Sequence, residues 1–440
     1  MAEQSGAAGM GTGAGADVQS SMAPAEVKNR GWTVTFAGTG INLALGILYT
    51  WSLFKGAIDK EFVSGGAGAA SGWQAAKLND PYALCCLVFA FAMIIAGRCQ
   101  DRFGPRLTAS IGGLLVGAGF LLCSTTNSYY TWLLGFGVLA GIGIGFGYSS
   151  ATPPALKWFP PSRTGLIAGL VVAGFGLAPV YLAPVAKYLL VHYQLKASML
   201  ILGVAFTIIV CGLAQVLKNP PTGYVAGAKP AAPGAATKPA VTNLAPGEIL
   251  RTLTFWHMWV IYFIGAGAGL MVIGSISGMA KASMGELAFV AVAVMAVGNA
   301  AGRILAGTLS DKIGRRQTLM LVLLFQAVLM FAAIPVTASK DMAAVVVVLV
   351  AALIGANYGA NLSLFPSFTK DLWGLKSFGV NYGILFTAWG VGGLVLPRLQ
   401  QMLTAGSGGS YTRSFIAAGV LLLLGGGLTC LLKTKSETQN

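Results

Sequence analysis

The sequence predicts an all-α membrane protein with twelve transmembrane helices in two six-helix bundles. Three observations predict this fold: the composition, the recurrence of apolar segments of about twenty residues, and a loop motif that occurs twice. Of the 440 residues, 55% are hydrophobic and 9% are charged, and the mean hydropathy is +0.74. A soluble domain carries about 25% charged residues. The composition therefore excludes a soluble enzyme, a disordered protein and a disulfide-rich secreted scaffold.

Apolar segments long enough to cross a hydrocarbon core of about 30 Å recur from Gly31 onward. They must be helical because unpaired backbone groups are too costly in lipid. The predicted spans are 32–57, 80–99, 107–126, 130–153, 164–190, 197–217, 255–279, 286–309, 318–337, 342–366, 378–399 and 412–432.

The remaining segments predict the domain organisation. Residues 1–30, rich in Gly, Ala and Ser, are expected to be a disordered cytoplasmic tail. Residues 218–250, rich in Pro, Ala, Gly and Lys, are expected to be a cytoplasmic linker. The linker would join an N-terminal bundle at 31–217 to a C-terminal bundle at 251–433, with a second cytoplasmic tail at 434–440.

The formal net charge of +15 is explained by membrane topology. Of the 28 Lys and Arg residues, 18 lie in the tails and the loops on one side, and eight lie in the loops on the other side. The positive-inside rule then places both termini in the cytoplasm of a multi-pass protein of the cell membrane. No nucleic-acid partner is expected. The six cysteines fall within or at the end of apolar segments, so no disulfide framework is implied.

A charged loop motif occurs twice, six spans apart. Residues 97–106 read GRCQDRFGPR and residues 307–316 read GTLSDKIGRR, and both have the form G-x-x-x-D-[RK]-x-G-x-R. The repeat predicts a duplicated six-helix unit. Its carboxylates can accept hydrogen bonds from basic residues or from a helix N-terminus. We therefore predict a latch that closes the cytoplasmic side, formed by Asp101, Arg102, Asp311, Lys312 and Arg315.

This loop resembles the one that members of the major facilitator superfamily carry between helices 2 and 3 and again between helices 8 and 9. The resemblance covers residues 30–433, and Cys99 and Pro105 depart from it in the first copy. It implies a transporter in which two six-helix bundles rock about a central site. The fold does not by itself name the substrate.

Two cations remain after the 26 assigned to the tails, loops and adjoining span ends: Arg303, deep in the eighth span, and Lys55, near the outer end of the first. None of the 13 Asp and Glu residues lies deep in a span. Because a charge at this depth is costly, we expect Arg303 to face a central cavity and bind a substrate carboxylate. The alternative is that it bonds backbone carbonyls and joins two helices. Lys55 can instead extend its ammonium to the membrane surface.

Several stretches resemble the oxalate:formate antiporter group and the proton-linked monocarboxylate transporters. They are residues 48–55 (LYTWSLFK), 157–160 (KWFP) leading into 163–169 (RTGLIAG), 251–256 (RTLTFW), 364–367 (LFPS) and 381–383 (NYG). In the antiporter, a helix 8 arginine and a helix 11 lysine hold the two charges of oxalate. Arg303 matches the arginine, whereas Trp389 occupies the lysine position. Monocarboxylate transporters carry a helix 1 lysine, which Lys55 matches, and an Asp-x-x-x-Arg pair that here reads Asn299-x-x-x-Arg303.

The expected function is transport of a small monocarboxylate, such as lactate or pyruvate, together with a proton. The substrate-binding residues would be Arg303, Asn299, Tyr148, Tyr358, Tyr382 and Leu48, with Lys55 as the proton carrier. Trp389 and Phe386 are further candidates to line the cavity, although aromatic residues in membrane helices also serve in packing. The alternatives are an oxalate/formate anion exchanger and a nutrient sensor without turnover. Neither an enzyme, a metal nor a cofactor is expected, and the protein is expected to function as a monomer in the bilayer.

Overall fold

The computed structural model describes residues 28–64, 71–221, 224, 226, 243–273, 288–338 and 343–432, and within these residues it contains helices and no strand. Among the described residues, eleven helical segments are long and apolar enough to cross a membrane. The helices are α1 Gly31–Val63, α2 Asp80–Phe103, α3 Pro105–Thr125, α4 Tyr129–Trp158, α5 and α6 within Thr164–Ala214, α7 Leu253–Ile273, α8 Ala288–Ile313, α9 Arg315–Ala338, α10 Ala344–Trp373, α11 Phe378–Ala405 and α12 Thr412–Leu428.

The segment Thr164–Ala214 contains two membrane crossings. Its 51 residues would make a helix about 76 Å long, more than twice the thickness of a hydrocarbon core. Gln194 interrupts it with φ 59° and ψ 178°. Both ends lie at the same end of the bundle, because Arg106 Nε donates to Leu217 O at 2.9 Å and Trp158 Nε1 donates to Lys218 O at 2.7 Å. Helices α5 (164–193) and α6 (195–214) therefore bring the described crossings to twelve, and the predicted fold class is confirmed.

Two predicted spans end too early, at prolines. The spans predicted to end at Pro153 and Pro366 continue as helices to Trp158 and Trp373. Proline is tolerated inside membrane helices because neighbouring groups satisfy the backbone carbonyl that it leaves unpaired. The first and eleventh helices also continue six residues beyond their predicted ends, to Val63 and Ala405. The other described ends agree within four residues, while parts of the spans predicted at 255–279 and 286–309 lie outside the described residues.

The described end of the predicted linker is packed on the second half of the chain. Residues Pro246–Ile249 form a helical turn, in which Glu248 Oε2 accepts from the backbone N–H of Ala245 at 2.6 Å. Leu244 N donates to Trp373 O at 3.1 Å. The rest of the predicted linker and both predicted tails lie largely outside the described residues.

Glycines allow the two halves of the chain to touch at the end that carries the loop motifs, here called the latch end. A Cβ atom at Gly97 in α2 would overlap the backbone of Gly379 in α11, and one at Gly165 in α5 would overlap the backbone of Gly307 in α8. Small residues permit such close approach between membrane helices. The α5–α8 contact continues along both helices and places Arg303 between the halves.

A glycine contact between α8 and α10 gives a test of this packing. A Cβ atom at Gly302 would overlap the carbonyl oxygen of Ala356, so Gly302→Val should force the helices apart. Overpacking of this kind costs about 1–3 kcal/mol or more. We expect a lower midpoint of thermal aggregation, measured by size-exclusion chromatography of heated detergent samples.

The matched control is Gly212→Val in α6, where an added Cβ meets open space. This variant should keep the melting behaviour of the unmodified protein. Equal loss of stability in both variants would show that the α8–α10 contact is not the cause.

Candidate functional site between the two halves

Arg303 lies buried in α8, at the contact with α5, and its side chain is 0% exposed. Its Nε donates to Asn299 Oδ1 at 3.0 Å, one turn earlier on the same helix. Its Nη1 donates to the carbonyl oxygen of Val172 in α5. Its Nη2 has no hydrogen-bond partner among the described residues. One nitrogen of a permanently charged group is therefore available to a ligand.

Two glycines of α5 allow the close approach that makes these bonds. A Cβ atom at Gly169 would overlap the carbonyl oxygen of Arg303, and one at Gly176 would lie 3.1 Å from its Nε. Larger residues at these positions would push α5 away from α8. The carbonyl of Val172 would then be out of reach of the guanidinium.

No carboxylate neutralises Arg303 in the described part of the chain. The ion pairs found there, Arg315 with Asp311 and Arg315 with Asp371, lie at the latch end. The structure therefore has a feature that fits each of the two roles expected for Arg303, which are joining two helices and binding a carboxylate. Its Nη1 joins two helices through a backbone carbonyl, whereas its Nη2 remains unpaired.

Three aromatic side chains from both halves form a hydrogen-bonded chain beside Arg303. The hydroxyl groups of Tyr49 in α1 and Tyr358 in α10 lie 2.8 Å apart. Trp389 Nε1 in α11 donates to the Tyr358 hydroxyl at 2.9 Å. The Tyr49 hydroxyl lies near the Arg303 guanidinium. Tyr49 belongs to a 3-10 stretch, Gly46–Thr50, which interrupts α1 at this depth. Such interruptions are frequent at functional hinges.

A cluster of aromatic rings continues from this chain, with Phe386 at its centre. The Phe386 centroid lies 5.0 Å from Trp389 and 5.1 Å from Phe89. The rings of three tyrosines also surround it, Tyr148 at 5.5 Å, Tyr382 at 5.7 Å and Tyr262 at 6.1 Å. The cluster includes side chains of α2, α4, α7 and α11, so it lies between the two halves. The predicted residues Tyr148, Tyr358 and Tyr382 are brought together with Trp389 and Phe386.

Leu48 and Lys55 lie in consecutive stretches of α1, Gly46–Thr50 and Trp51–Ile58. Leu48 is buried next to Tyr49 in the 3-10 stretch. Lys55 is half-buried in the stretch Trp51–Ile58, and its ammonium forms no hydrogen bond or ion pair with any residue that the structure describes. The structure brings Leu48 to the site region and places Lys55 farther along α1.

At the latch end, each motif aspartate binds the N-terminus of a helix from the other half. The two oxygens of Asp101 accept from the N–H groups of Gly379 and Val380, both at 3.1 Å, where α11 begins. The oxygens of Asp311 accept from the N–H groups of Gly165 at 2.8 Å and Leu166 at 2.9 Å, where α5 begins. A carboxylate at a helix N-terminus satisfies unpaired N–H groups and interacts favourably with the helix dipole.

The basic residues of the motifs differ in their contacts. Arg315 pairs with Asp311 at 2.7 Å and with Asp371 of α10 at 2.9 Å. Arg102 is exposed and lies over the Phe103 ring at 5.3 Å, and Lys312 is exposed. Neither of these two cations forms an ion pair in the described part of the chain. Among the motif side chains, the two aspartates thus bond across the contact between the halves, whereas Arg315 bonds within the second half.

The sequence profile of the Major Facilitator Superfamily matches residues 66–397 and, in a second match, residues 281–440. The chain belongs to the major facilitator superfamily. It is therefore a multi-pass membrane transporter, as the repeated loop motif predicts.

Superfamily members of several kinds are similar to this chain. The oxalate:formate antiporter of Oxalobacter formigenes is 27% identical over 364 residues, which are 82% of this chain and 81% of the antiporter. Monocarboxylate transporter 13 of Bos taurus is 25% identical over 408 residues, 91% of this chain and 89% of that protein. The structure of the proton:xylose symporter XylE matches with a TM-score of 0.69 at 13% identity, over 94% of this chain and 99% of that one. The last similarity concerns the fold alone.

The sequence analysis did not predict several residues of the site around Arg303. Tyr49 lies in the stretch 48–55, from which Leu48 and Lys55 are predicted to be functional residues but Tyr49 is not. Tyr262 lies in an evenly apolar helix, where periodicity marks no face. Val172 contributes a backbone carbonyl, for which a sequence carries no signal.

The latch geometry predicts the effect of removing one carboxylate. Asp311→Asn should weaken the bonds to the start of α5 and the pair with Arg315. An anion at a helix N-terminus contributes about 0.3–2 kcal/mol, so the opened fraction at the latch end should rise roughly 2- to 30-fold. Alkylation of a cysteine introduced at the buried position Thr164, in a background without native cysteines, measures this fraction.

The matched control is Lys312→Gln, because Lys312 is exposed and adjacent to Asp311. Its alkylation rate should equal that of the unmodified latch. If Asp311→Asn is alkylated no faster than Lys312→Gln, the carboxylate does not hold the two halves together.

Proposed function

We propose that this protein transports small monocarboxylate anions of the lactate and pyruvate type, with a proton, by alternating access of two six-helix bundles. The observation that carries the proposal is the buried Arg303, which has an unpaired Nη2 and no carboxylate partner in the described part of the chain. An arginine that presents free N–H groups in a dry site is suited to bind a carboxylate. A carboxylate on the substrate would supply the missing countercharge.

The residues around Arg303 favour a single negative charge on the substrate. Trp389 occupies the position that resembles the antiporter's lysine, and its indole N–H donates to Tyr358. An indole carries no charge that could neutralise a second carboxylate. The aromatic rings around Phe386 suit a short organic end. A small acid with one carboxylate therefore fits this site better than oxalate does.

Asn299 has a positioning role in this proposal. Its Oδ1 accepts from Arg303 Nε, which fixes the plane of the guanidinium while the neighbouring nitrogen stays free. Tyr148, Tyr358 and Tyr382 orient the rest of the substrate, and Leu48 forms part of the apolar wall. The names of the relatives, an oxalate:formate antiporter and a monocarboxylate transporter, support small carboxylates as the substrate class.

Transport requires the site to open alternately to the two sides. In the arrangement described here, Asp101 and Asp311 hold α11 and α5 of the opposite halves. We assign to these bonds, together with Arg315, the role of the latch. The same proposal includes a location in the cell membrane, cytoplasmic termini, bundles at 31–217 and 251–433, and function as a monomer.

Proton coupling is assigned to Lys55. Its ammonium is half-buried and has no partner among the described residues, so it is available to pair with an arriving anion. The neutralised pair would then cross together, and the anion and a proton would be released on the other side. An anion exchanger of the oxalate/formate type is the second candidate, because a relative carries that name.

Replacing Arg303 by lysine tests the substrate-binding role. A lysine ammonium cannot reproduce the fork that binds Asn299, Val172 and a carboxylate together. Hydrogen bonds to charged groups contribute about 1.5–3 kcal/mol, so uptake of labelled lactate into proteoliposomes should fall roughly 10- to 100-fold. Arg398→Lys at an exposed position is the control and should transport normally. Wild-type uptake by Arg303→Lys would refute the role.

Replacing Lys55 by alanine tests proton coupling. An inward proton gradient should raise lactate uptake by the unmodified protein, and Lys55→Ala should lose this stimulation because alanine cannot carry the proton. Lys60→Ala, an exposed lysine close by on α1, should keep it. If the proton gradient still stimulates lactate uptake by Lys55→Ala, a group other than Lys55 carries the proton. Uptake that needs a counter-anion inside the vesicles and ignores the gradient would instead support the exchanger.

A further inference from the structure

A buried lysine near the end of α10 bonds the first half of the chain. Lys370 is only 8% exposed, although α10 ends three residues later at Trp373. Its ammonium donates to Thr164 Oγ1 at 2.8 Å and to the carbonyl oxygen of Leu156 at 3.3 Å. Both acceptors belong to the first half, where α4 ends and α5 begins. A separation of the halves at the latch end must therefore break both bonds.

The carbonyl of Leu156 needs a donor from elsewhere because of a proline. Within a helix this carbonyl would accept from the N–H group four residues later, but that residue is Pro160, which has none. Leu156 is 1% exposed, and a buried carbonyl without a donor is costly. The ammonium of Lys370 supplies the missing bond. It also lies near the C-terminus of α4, where the helix dipole favours a cation.

Thr164 connects the same ammonium to the start of α5. Its hydroxyl donates to the carbonyl oxygen of Pro161 at 2.9 Å, so the hydroxyl oxygen is free to accept from Lys370. The next two N–H groups of α5 donate to Asp311 of α8. The start of α5 is thus bonded by a carboxylate and by an ammonium, which come from two different helices of the second half.

The first half contains the same residue spacing, with different contacts. Residues 153–157 (PPALK) and 366–370 (PSFTK) both have the form P-x-x-x-K, and both begin with a proline inside a helix. Lys157 is half-buried and lies near the Asp101 carboxylate of its own half. Its ammonium forms no hydrogen bond in the described part of the chain, so the bonds across the contact belong to the second lysine.

We propose that Lys370 is a further positioning residue of the latch, which holds the end of α4 and the start of α5 against α10 while the latch end is closed. The repeated loop motif does not contain this residue, and its acceptors differ from the N–H groups that Asp311 binds. The inference rests on the proposed function in one respect, the alternating access of the two bundles. It does not depend on the substrate.

The experiment measures how often the latch end opens. Ser367 is buried one turn deeper than Lys370 on the same side of α10, and a cysteine there, in a full chain without native cysteines, is alkylated when the halves separate. Lys370→Met keeps the length of the side chain and removes both bonds. Because the closed latch then no longer buries a charge, we expect a moderate rise in the alkylation rate, about 3- to 10-fold. The control is Lys376→Met, at an exposed position before α11, which should keep the unmodified rate.

Replacing the acceptor tests the bond itself. Thr164→Val leaves the ammonium of Lys370 buried with one bond fewer, so the alkylation rate should rise about 3- to 10-fold. Thr164→Ser keeps the hydroxyl group and should keep the unmodified rate. In the Lys370→Met background, Thr164→Val should raise the rate by a smaller factor, because the bond between the two residues is already absent. A general loss of stability would give the same factor in both backgrounds.

The outcomes distinguish this inference from the rest of the latch. Equal or slower alkylation of Lys370→Met relative to Lys376→Met overturns the role of Lys370, as does equal alkylation of Thr164→Val and Thr164→Ser. Faster alkylation of Asp311→Asn with the same reporter would in that case leave the other latch bonds standing. If Lys370→Met does not fold, the comparison of the two Thr164 variants decides. No change in Asp311→Asn or in any of these variants would refute the latch as a whole.

Discussion

The burial of one permanent positive charge between α5 and α8 governs the centre of this molecule. A charge in a membrane costs at least about 2.5–3.5 kcal/mol, so the protein must supply groups in place of water. Asn299 and the carbonyl of Val172 supply two of them. The glycines of α5 are needed because a carbonyl can reach the guanidinium only if the two backbones nearly touch. The compensation is incomplete, since Nη2 has no partner among the described residues.

Arg303 takes part both in the proposed binding of substrate, through its unpaired Nη2, and in the contact between the two halves. Val172 belongs to the first half and Arg303 to the second, so one bond of the guanidinium crosses the interface. Eight residues farther along α8, Asp311 holds the start of the same α5 helix. A movement of α5 away from α8 must therefore break both contacts. Under the proposed function, an anion bound at Nη2 would contact the same guanidinium that Val172 of the other half holds through Nη1.

Sequence reasoning reached the parts of this arrangement that are local or repeated. Composition and the spacing of apolar segments were sufficient for twelve helices, and the spacing of Asn299 and Arg303 placed both on one helix face. A helix N-terminus was one of the two partners predicted for Asp101 and Asp311, but the helices that supply it were not predictable, since they are distant in the chain. Tyr262 escaped notice because α7 is apolar on every side. Periodicity identifies the faces of a helix, but it does not identify what lies opposite them.

The two copies of the loop motif have the same residue spacing, but their aspartates form different sets of bonds. Asp101 has only the start of α11 as a hydrogen-bond partner in the described part of the chain. Asp311 also pairs with Arg315, which reaches Asp371 of α10. That helix carries Tyr358, which bonds Tyr49 and Trp389 at the site. The more extensively bonded copy thus lies on α8 and α10, the helices that also carry Arg303 and Tyr358.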